Sequence, residues 1–161
     1  MQTQQTLIIY SPKQMLIVGE FLAKNHKILL LEGDLWAGKT TLSKGFAKGL
    51  QIDENKIQSP TYTYINSHTT KNHKKLLHVD MRRLEKYQDL INKGIKEEIE
   101  QAEYLLIERP KFIDQLDLHN PLLLSIRKIS PTQREIIFWK WLSTDEFHTL
   151  WALLQTEPYD T

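Results

Sequence analysis

The chain of 161 residues contains no cysteine, which excludes disulfide bonds and metal sites built from thiolates. It lacks long hydrophobic runs, since runs such as Ile28–Leu31 fall far short of the roughly 20 residues of a membrane-spanning helix. Met1–Gln5 show neither the basic start nor the apolar stretch of a signal peptide. An excess of one charge is missing too: 21 basic and 20 acidic residues give a formal net charge of +1, which does not indicate a general attraction to nucleic acid. We therefore expect a soluble protein without membrane contact, and the lack of cysteine is compatible with a cytoplasmic location.

The remaining composition is that of an ordinary globular protein. Hydrophobic residues make up 40% and charged residues 25%, and no repeat or linker divides the chain, so we expect a single domain over residues 1–161. The predicted strands are Thr6–Tyr10, Ile28–Leu31, Tyr62–Asn66, Leu76–Asp80, Tyr104–Ile107, Leu122–Ile129 and Arg134–Trp139. The predicted helices are a segment capped at Ser11 that carries Met15, Val18 and Leu22, then Lys39–Leu50, Glu85–Gln101 with a break near Gly94, and Asp145–Gln155. This alternation predicts an α/β fold, a three-layer sandwich with a largely parallel central sheet and an antiparallel C-terminal strand pair.

A phosphate-binding loop (P-loop) is the clearest motif. The pattern G-x-x-x-x-G-K-[ST] is matched without gaps by Gly33, Asp34, Leu35, Trp36, Ala37, Gly38, Lys39 and Thr40. A buried strand precedes the loop and a helix begins within it, so backbone N–H groups point into one concavity that favours a polyanion. Lys39 would neutralise the β- and γ-phosphates, and the Thr40 hydroxyl would bind Mg²⁺, which predicts ATP with Mg²⁺ as the ligand. Trp36 stands where many such loops carry glycine, and a left-handed backbone there would be strained.

Two acids follow apolar strands, Asp80 after Leu76–Val79 and Glu108 after Tyr104–Ile107. In a parallel sheet these strand ends lie at the same edge as the P-loop, where carboxylates can hold Mg²⁺ or orient an attacking water. The alternative is that the two acids have only a structural role, as helix caps or surface residues. The P-loop earlier in the chain favours a functional role at the nucleotide site. The hydroxyl-rich segment Ser59–Thr63 could sense a γ-phosphate, although such hydroxyls more often make turns. Of the three neighbouring histidines, His68, His73 and His78, two sit among lysines in a polar connection, which favours a solvated hairpin over a metal site.

Four ordered motifs resemble the TsaE (YjeE-type) ATPases of bacterial threonylcarbamoyladenosine synthesis. Gly33–Thr41 is similar to the family's G-D-L-G-A-G-K-T-T, and Ser59–Thr63 to its S-P-T-Y-T. His78–Leu84 resembles H-x-D-x-Y-R-L, and Glu108–Pro110 resembles E-W-P. Arg134 falls where the family tends to carry an arginine.

The resemblance implies a P-loop ATPase that works with TsaD and TsaB on the adenosine beside the anticodon, with tRNA reached through that complex. It implies that ATP turnover resets the complex and that the protein does not itself transfer the carbamoyl group. If the family's residue roles are transferred to this chain, the resemblance implies that Thr40, Asp80 and Glu108 serve the Mg²⁺–water network. It also implies that Thr61 approaches the γ-phosphate. The implied nucleotide-binding residues are Gly33, Asp34, Leu35, Trp36, Ala37, Gly38, Lys39, Thr40, Thr41 and Arg134.

Three residues depart from the family pattern: Trp36 replaces a glycine, Arg82 a tyrosine and Arg109 a tryptophan. Two alternatives stay open, a small P-loop kinase and a nucleotide-gated binding module with little turnover. A GTPase fits worse, because guanine-binding loops carry N-K-x-D and Asn92-Lys93-Gly94 is followed by Ile95.

Overall fold

The computed structural model describes residues 5–34, 36–60, 63–139 and 142–156. Within these ranges the strands are β1 (Gln5–Ile9), β2 (Ile28–Gly33), β3 (Ile65–Thr69), β4 (Lys75–Asp80), β5 (Tyr104–Glu108), β6 (Leu122–Lys128) and β7 (Arg134–Phe138). The α-helices in the same ranges are α1 (Pro12–Leu22), α2 (Lys39–Gly49), α3 (Tyr87–Asn92), α4 (Ile95–Gln101) and α5 (Thr144–Gln155). Short 3₁₀ turns lie at Glu54–Lys56 and Ile113–Gln115.

The strands form one mixed sheet in the order β1-β7-β6-β2-β5-β4-β3. Its central strands, β6, β2, β5 and β4, pair in parallel, as the alternation of strands and helices predicts. β6 and β7 form the predicted antiparallel pair, and β1 and β3 add antiparallel edges by pairing with β7 and β4. The predicted α/β architecture is confirmed.

Helices cover both faces of the sheet, because successive side chains of the buried strands point to opposite sides. Leu29 and Leu31 of β2 pack into the core beneath α1, α2 and α5. Ile28 and Leu30 pack into a second core beneath α3 and α4. The three-layer arrangement follows from this alternation.

The start of α1 matches its predicted cap. The Ser11 hydroxyl oxygen accepts a hydrogen bond from the Gln14 N–H at 3.1 Å, and the Gln14 side-chain oxygen accepts one from the Tyr10 N–H at 2.8 Å. The predicted break near Gly94 is also confirmed, since Gly94 has a φ of 72° and separates α3 from α4.

The third strand differs from its prediction. The expected strand Tyr62–Asn66 lies three residues further along, at Ile65–Thr69, and Tyr62 falls outside the described residues. A tight turn joins β3 to β4, closed by a hydrogen bond from the Thr70 N–H to the Lys74 carbonyl at 2.8 Å. β3 is an edge strand of mostly polar residues, so no apolar alternation marks its extent. No helix in the described ranges is long and apolar enough to cross a membrane.

Candidate functional site

The parallel sheet brings the predicted loop and both predicted acids to one edge. β2 ends at Gly33, β4 at Asp80 and β5 at Glu108, and these three strands are neighbours with the same direction. Asp80 lies directly opposite Glu108 in the strand register, and both are buried. The sequence prediction that these acids meet beside the loop is therefore confirmed as a matter of position, while their chemical roles remain predictions.

Two glycines shape the loop between β2 and α2. Gly33 has a φ of 151°, and a Cβ there would lie 2.4 Å from the Ile126 carbonyl oxygen of β6. Gly38 has a φ of 114° and occupies the cap position of α2, where it has no side chain to bond the first-turn N–H groups. The first turn of α2 therefore presents its N–H groups toward the loop.

Lys39, the first residue of α2, is 95% buried within the loop. Its ammonium donates to the carbonyl oxygens of Gly33 at 2.5 Å and Asp34 at 2.7 Å, both of which are neutral acceptors. Burial lowers the pKa of Lys39 below its ordinary value, and the nearby Arg109 guanidinium lowers it further, against the opposing charges of the acids. This buried cation favours an anion in the loop.

Asp80 is held by Arg82 and Arg109. Its Oδ1 accepts the backbone N–H of Arg82 at 2.9 Å, and its Oδ2 accepts from the Arg109 guanidinium at 3.3 Å. Arg109 itself has a left-handed backbone with φ of 51°, and its N–H donates to the Leu31 carbonyl at 2.9 Å. An arginine that departs from the family pattern thus forms an ion pair with a predicted catalytic acid.

Glu108 is held by His78, a histidine to which the sequence interpretation assigned no role. His78 is fully buried, and its Nε2 lies 2.6 Å from Oε2 of Glu108. An ionised carboxylate can only accept, so the bond to Glu108 requires a proton on Nε2 of His78. His78 lies inside β4, within the predicted strand Leu76–Asp80. The period-two alternation of β4 could have found it, because it puts His78 on the same face as Leu76 and Asp80.

Two cavities adjoin the loop. The larger, about 610 Å³, is lined by Trp36, Ala37, Gly38, Lys39, Thr40, Thr41, Ser59, Arg82, Glu108 and Arg109. The smaller, about 250 Å³, is lined by Ile9, Tyr10, Ser11, Pro12, Met15, Trp36, Gly38, Thr41, Pro131, Thr132 and Arg134. Most of the predicted binding residues therefore line these two cavities. Leu35 and Thr61 lie outside the described residues.

Trp36 and Arg134 meet at the boundary of the two cavities. Trp36 has the left-handed φ of 66° that the sequence marked as strained, and its side chain is exposed. Its carbonyl oxygen accepts from the Arg134 guanidinium at 3.4 Å, and Arg134 also donates to the carbonyls of Ser130 and Gln133. The strained position is thus tied to β7.

A largely parallel α/β sheet with a G-x-x-x-x-G-K-T loop between a central strand and a helix is typical of the P-loop class of proteins. A sequence profile described as "Threonylcarbamoyl adenosine biosynthesis protein TsaE" matches residues 9–136. The chain belongs to the TsaE family.

Individual relatives agree with this. A tRNA threonylcarbamoyladenosine biosynthesis protein TsaE from Bacillus subtilis is 37% identical over 117 residues, which cover 72% of this chain and 71% of that protein. The protein of the same name from Nostoc sp. is 50% identical over 70 residues, 44% of this chain and only 41% of its own length. The crystal structure of Bacillus subtilis YdiB superposes with a TM-score of 0.64 at 26% identity and covers 96% of both chains.

Proposed function

We propose that this chain binds ATP with Mg²⁺ at residues 33–41 and hydrolyses it in support of tRNA threonylcarbamoyladenosine synthesis, together with TsaD and TsaB. The observation that carries the proposal is the buried Lys39 ammonium, which sits in a glycine-shaped loop with two buried carboxylates at the same sheet edge. The name shared by the TsaE relatives supports the tRNA context.

The residues present fit a Mg²⁺–triphosphate. The larger cavity falls within the range of about 300–1000 Å³ typical of small-molecule sites. Its cations, Lys39, Arg82 and Arg109, suit phosphate oxygens, and the Thr40 hydroxyl with the Glu108 carboxylate forms the hard oxygen donor set that Mg²⁺ prefers. When bound, Mg²⁺ neutralises charge on the phosphates.

The different linings of the two cavities suggest how the nucleotide is oriented between them. Glu108 lines only the larger cavity, so the γ-phosphate and the attacking water belong there. The smaller cavity shares Gly38 and Thr41 with the larger and has apolar walls that include Ile9 and Met15, which suit a nucleoside. Because no N-K-x-D motif is present, we expect adenine to be preferred over guanine.

The chain's own residues have separate tasks in this proposal. Lys39 and the first-turn N–H groups of α2 bind the phosphates. Glu108, held by His78, orients the attacking water through the oxygen that His78 leaves unengaged. Asp80, which accepts bonds from Arg82 and Arg109, would place a second negative charge beside the metal at this sheet edge.

Measuring ATP binding and turnover, alone and with the TsaD–TsaB pair, tests the proposal and separates its alternatives. We expect slow turnover alone and faster turnover with the partners. Lys39→Ala should abolish most binding, because it removes the buried cation that faces the phosphates, whereas Lys48→Ala at the exposed end of the same helix should not.

Unchanged affinity of the Lys39→Ala variant would show that the loop is not the binding site. Tighter binding of GTP than ATP in a competition titration would refute the adenine assignment. Binding without turnover under any condition would favour the nucleotide-gated module, and phosphoryl transfer to a second substrate would favour the kinase.

A further inference from the structure

Trp36 is an unusual residue for the tip of a phosphate-binding loop. Its side chain is 80% exposed, although a large aromatic side chain normally gains free energy by burial. Its φ of 66° is unfavourable for most residues that carry a Cβ, tryptophan among them. Neither exposure nor backbone conformation therefore stabilises a tryptophan at this position in the free protein.

The position of Trp36 suggests what offsets these costs. It lines both the cavity that holds Lys39 and Glu108 and the smaller, more apolar cavity beside it. The bond from Arg134 to its carbonyl oxygen anchors its backbone at the junction of the two. Strained conformations of this kind persist at ligand clamps, where surrounding structure holds them.

We propose that Trp36 determines ligand specificity by stacking its indole on the nucleobase of the bound nucleotide, an inference that rests on the proposed function. The apolar side chains of Ile9 and Met15 supply one side of the smaller cavity, and the indole supplies an aromatic face. Stacking tolerates any base, because every base has a π-face. Trp36 therefore selects nucleotides over bare polyphosphates and leaves the choice between purines to other groups.

The test compares a ligand that carries a base with one that does not. The affinities of Mg²⁺–ATP and Mg²⁺–tripolyphosphate are measured by calorimetry for the wild type, Trp36→Asn and Trp36→Phe. Asparagine tolerates a left-handed backbone but lacks an aromatic ring, and phenylalanine keeps a ring. We expect Trp36→Asn to weaken ATP binding by about tenfold, within the range measured for base–aromatic stacking, and to leave tripolyphosphate binding unchanged. Trp36→Phe should retain most of the ATP affinity.

Tryptophan fluorescence provides a direct readout. ATP should quench the wild type, and tripolyphosphate should not. The response should disappear in Trp36→Phe and persist in Trp151→Phe, a control at an exposed position on α5. Equal losses for both ligands would overturn the inference, because Trp36 would then act on the loop conformation. An unchanged ATP affinity in Trp36→Asn would also overturn it. If the wild type bound neither ligand, the proposed function itself would fail.

Discussion

Replacing His78 with leucine would leave Glu108 without its buried hydrogen-bond donor. The two side chains meet at 2.6 Å, and both residues are at least 98% buried. A hydrogen bond to a charged group contributes about 1.5–3 kcal/mol, and an uncompensated buried charge costs about 3–5 kcal/mol. Because Glu108 also lines the larger cavity, water can hydrate part of it, so we expect the free energy of unfolding to fall by about 2–3 kcal/mol. At about 2–4 °C per kcal/mol for a chain of this size, Tm should fall by roughly 4–12 °C.

Thermal and urea denaturation of His78→Leu would measure this loss, and a double-mutant cycle with Glu108→Gln would isolate the pair. His68→Leu is the matched control: it makes the same change on the neighbouring strand, where Nε2 of His68 is buried and has no partner among the described residues. His78→Gln should recover part of the stability, since its amide can donate to Glu108. If His78→Leu were as stable as the wild type, or if the cycle gave no coupling, the assignment of His78 as the donor that holds Glu108 would be wrong.

Two further predictions concern charged groups, one at the site and one in β3. Arg109→Ala should lower the Mg²⁺ concentration needed for half-maximal ATP binding, because it removes a guanidinium that competes with Mg²⁺ for Oδ2 of Asp80, whereas Arg82→Ala should not, because Arg82 holds Asp80 through its backbone; equal Mg²⁺ dependence in a titration of the two variants would contradict this. Burial, then the charges of His78 and Lys56, lowers the pKa of His68 below 6.5, so the unfolded chain binds a proton near that pH that the folded chain does not. Stability should therefore fall as pH drops through 6.5, by at most about 1.4 kcal/mol per pH unit, and thermal melts of His68→Gln between pH 7.5 and 5.5 should show a smaller loss than the wild type.

The position of the site was predictable because it depends on strand direction. The apolar runs before Gly33, Asp80 and Glu108 predict buried parallel strands, and parallel strands end at the same edge of a sheet. The contacts between side chains within the site were harder to predict from the sequence. The hydrogen bond between His78 and Glu108 depends on the register of β4 against β5, which no local pattern specifies.

Local polarity misled the interpretation of β3 and left the role of His78 unrecognised. Polar residues at an edge strand and a histidine within a buried strand look alike when residues are judged by type alone. Burial separates them, since His68 is half-buried at the edge and His78 is fully buried in β4. Burial depends on which elements cover the sheet, and it is therefore a tertiary property.

Two departures from the family pattern, Trp36 and Arg109, share a left-handed backbone, with φ of 66° and 51°. Each costs free energy, roughly 1–3 kcal/mol for a residue held in a sparsely populated region. The rest of the fold can hold them, because α1 and α2 pack so closely that a Cβ on Gly19 would lie 2.1 Å from the Leu42 carbonyl oxygen. Because that contact fixes α2, it also fixes the loop that leads into it. The strained backbone at Trp36 and Arg109 and the close packing of α1 against α2 are therefore parts of one arrangement. It presents Trp36 to both cavities and Arg109 to the larger one.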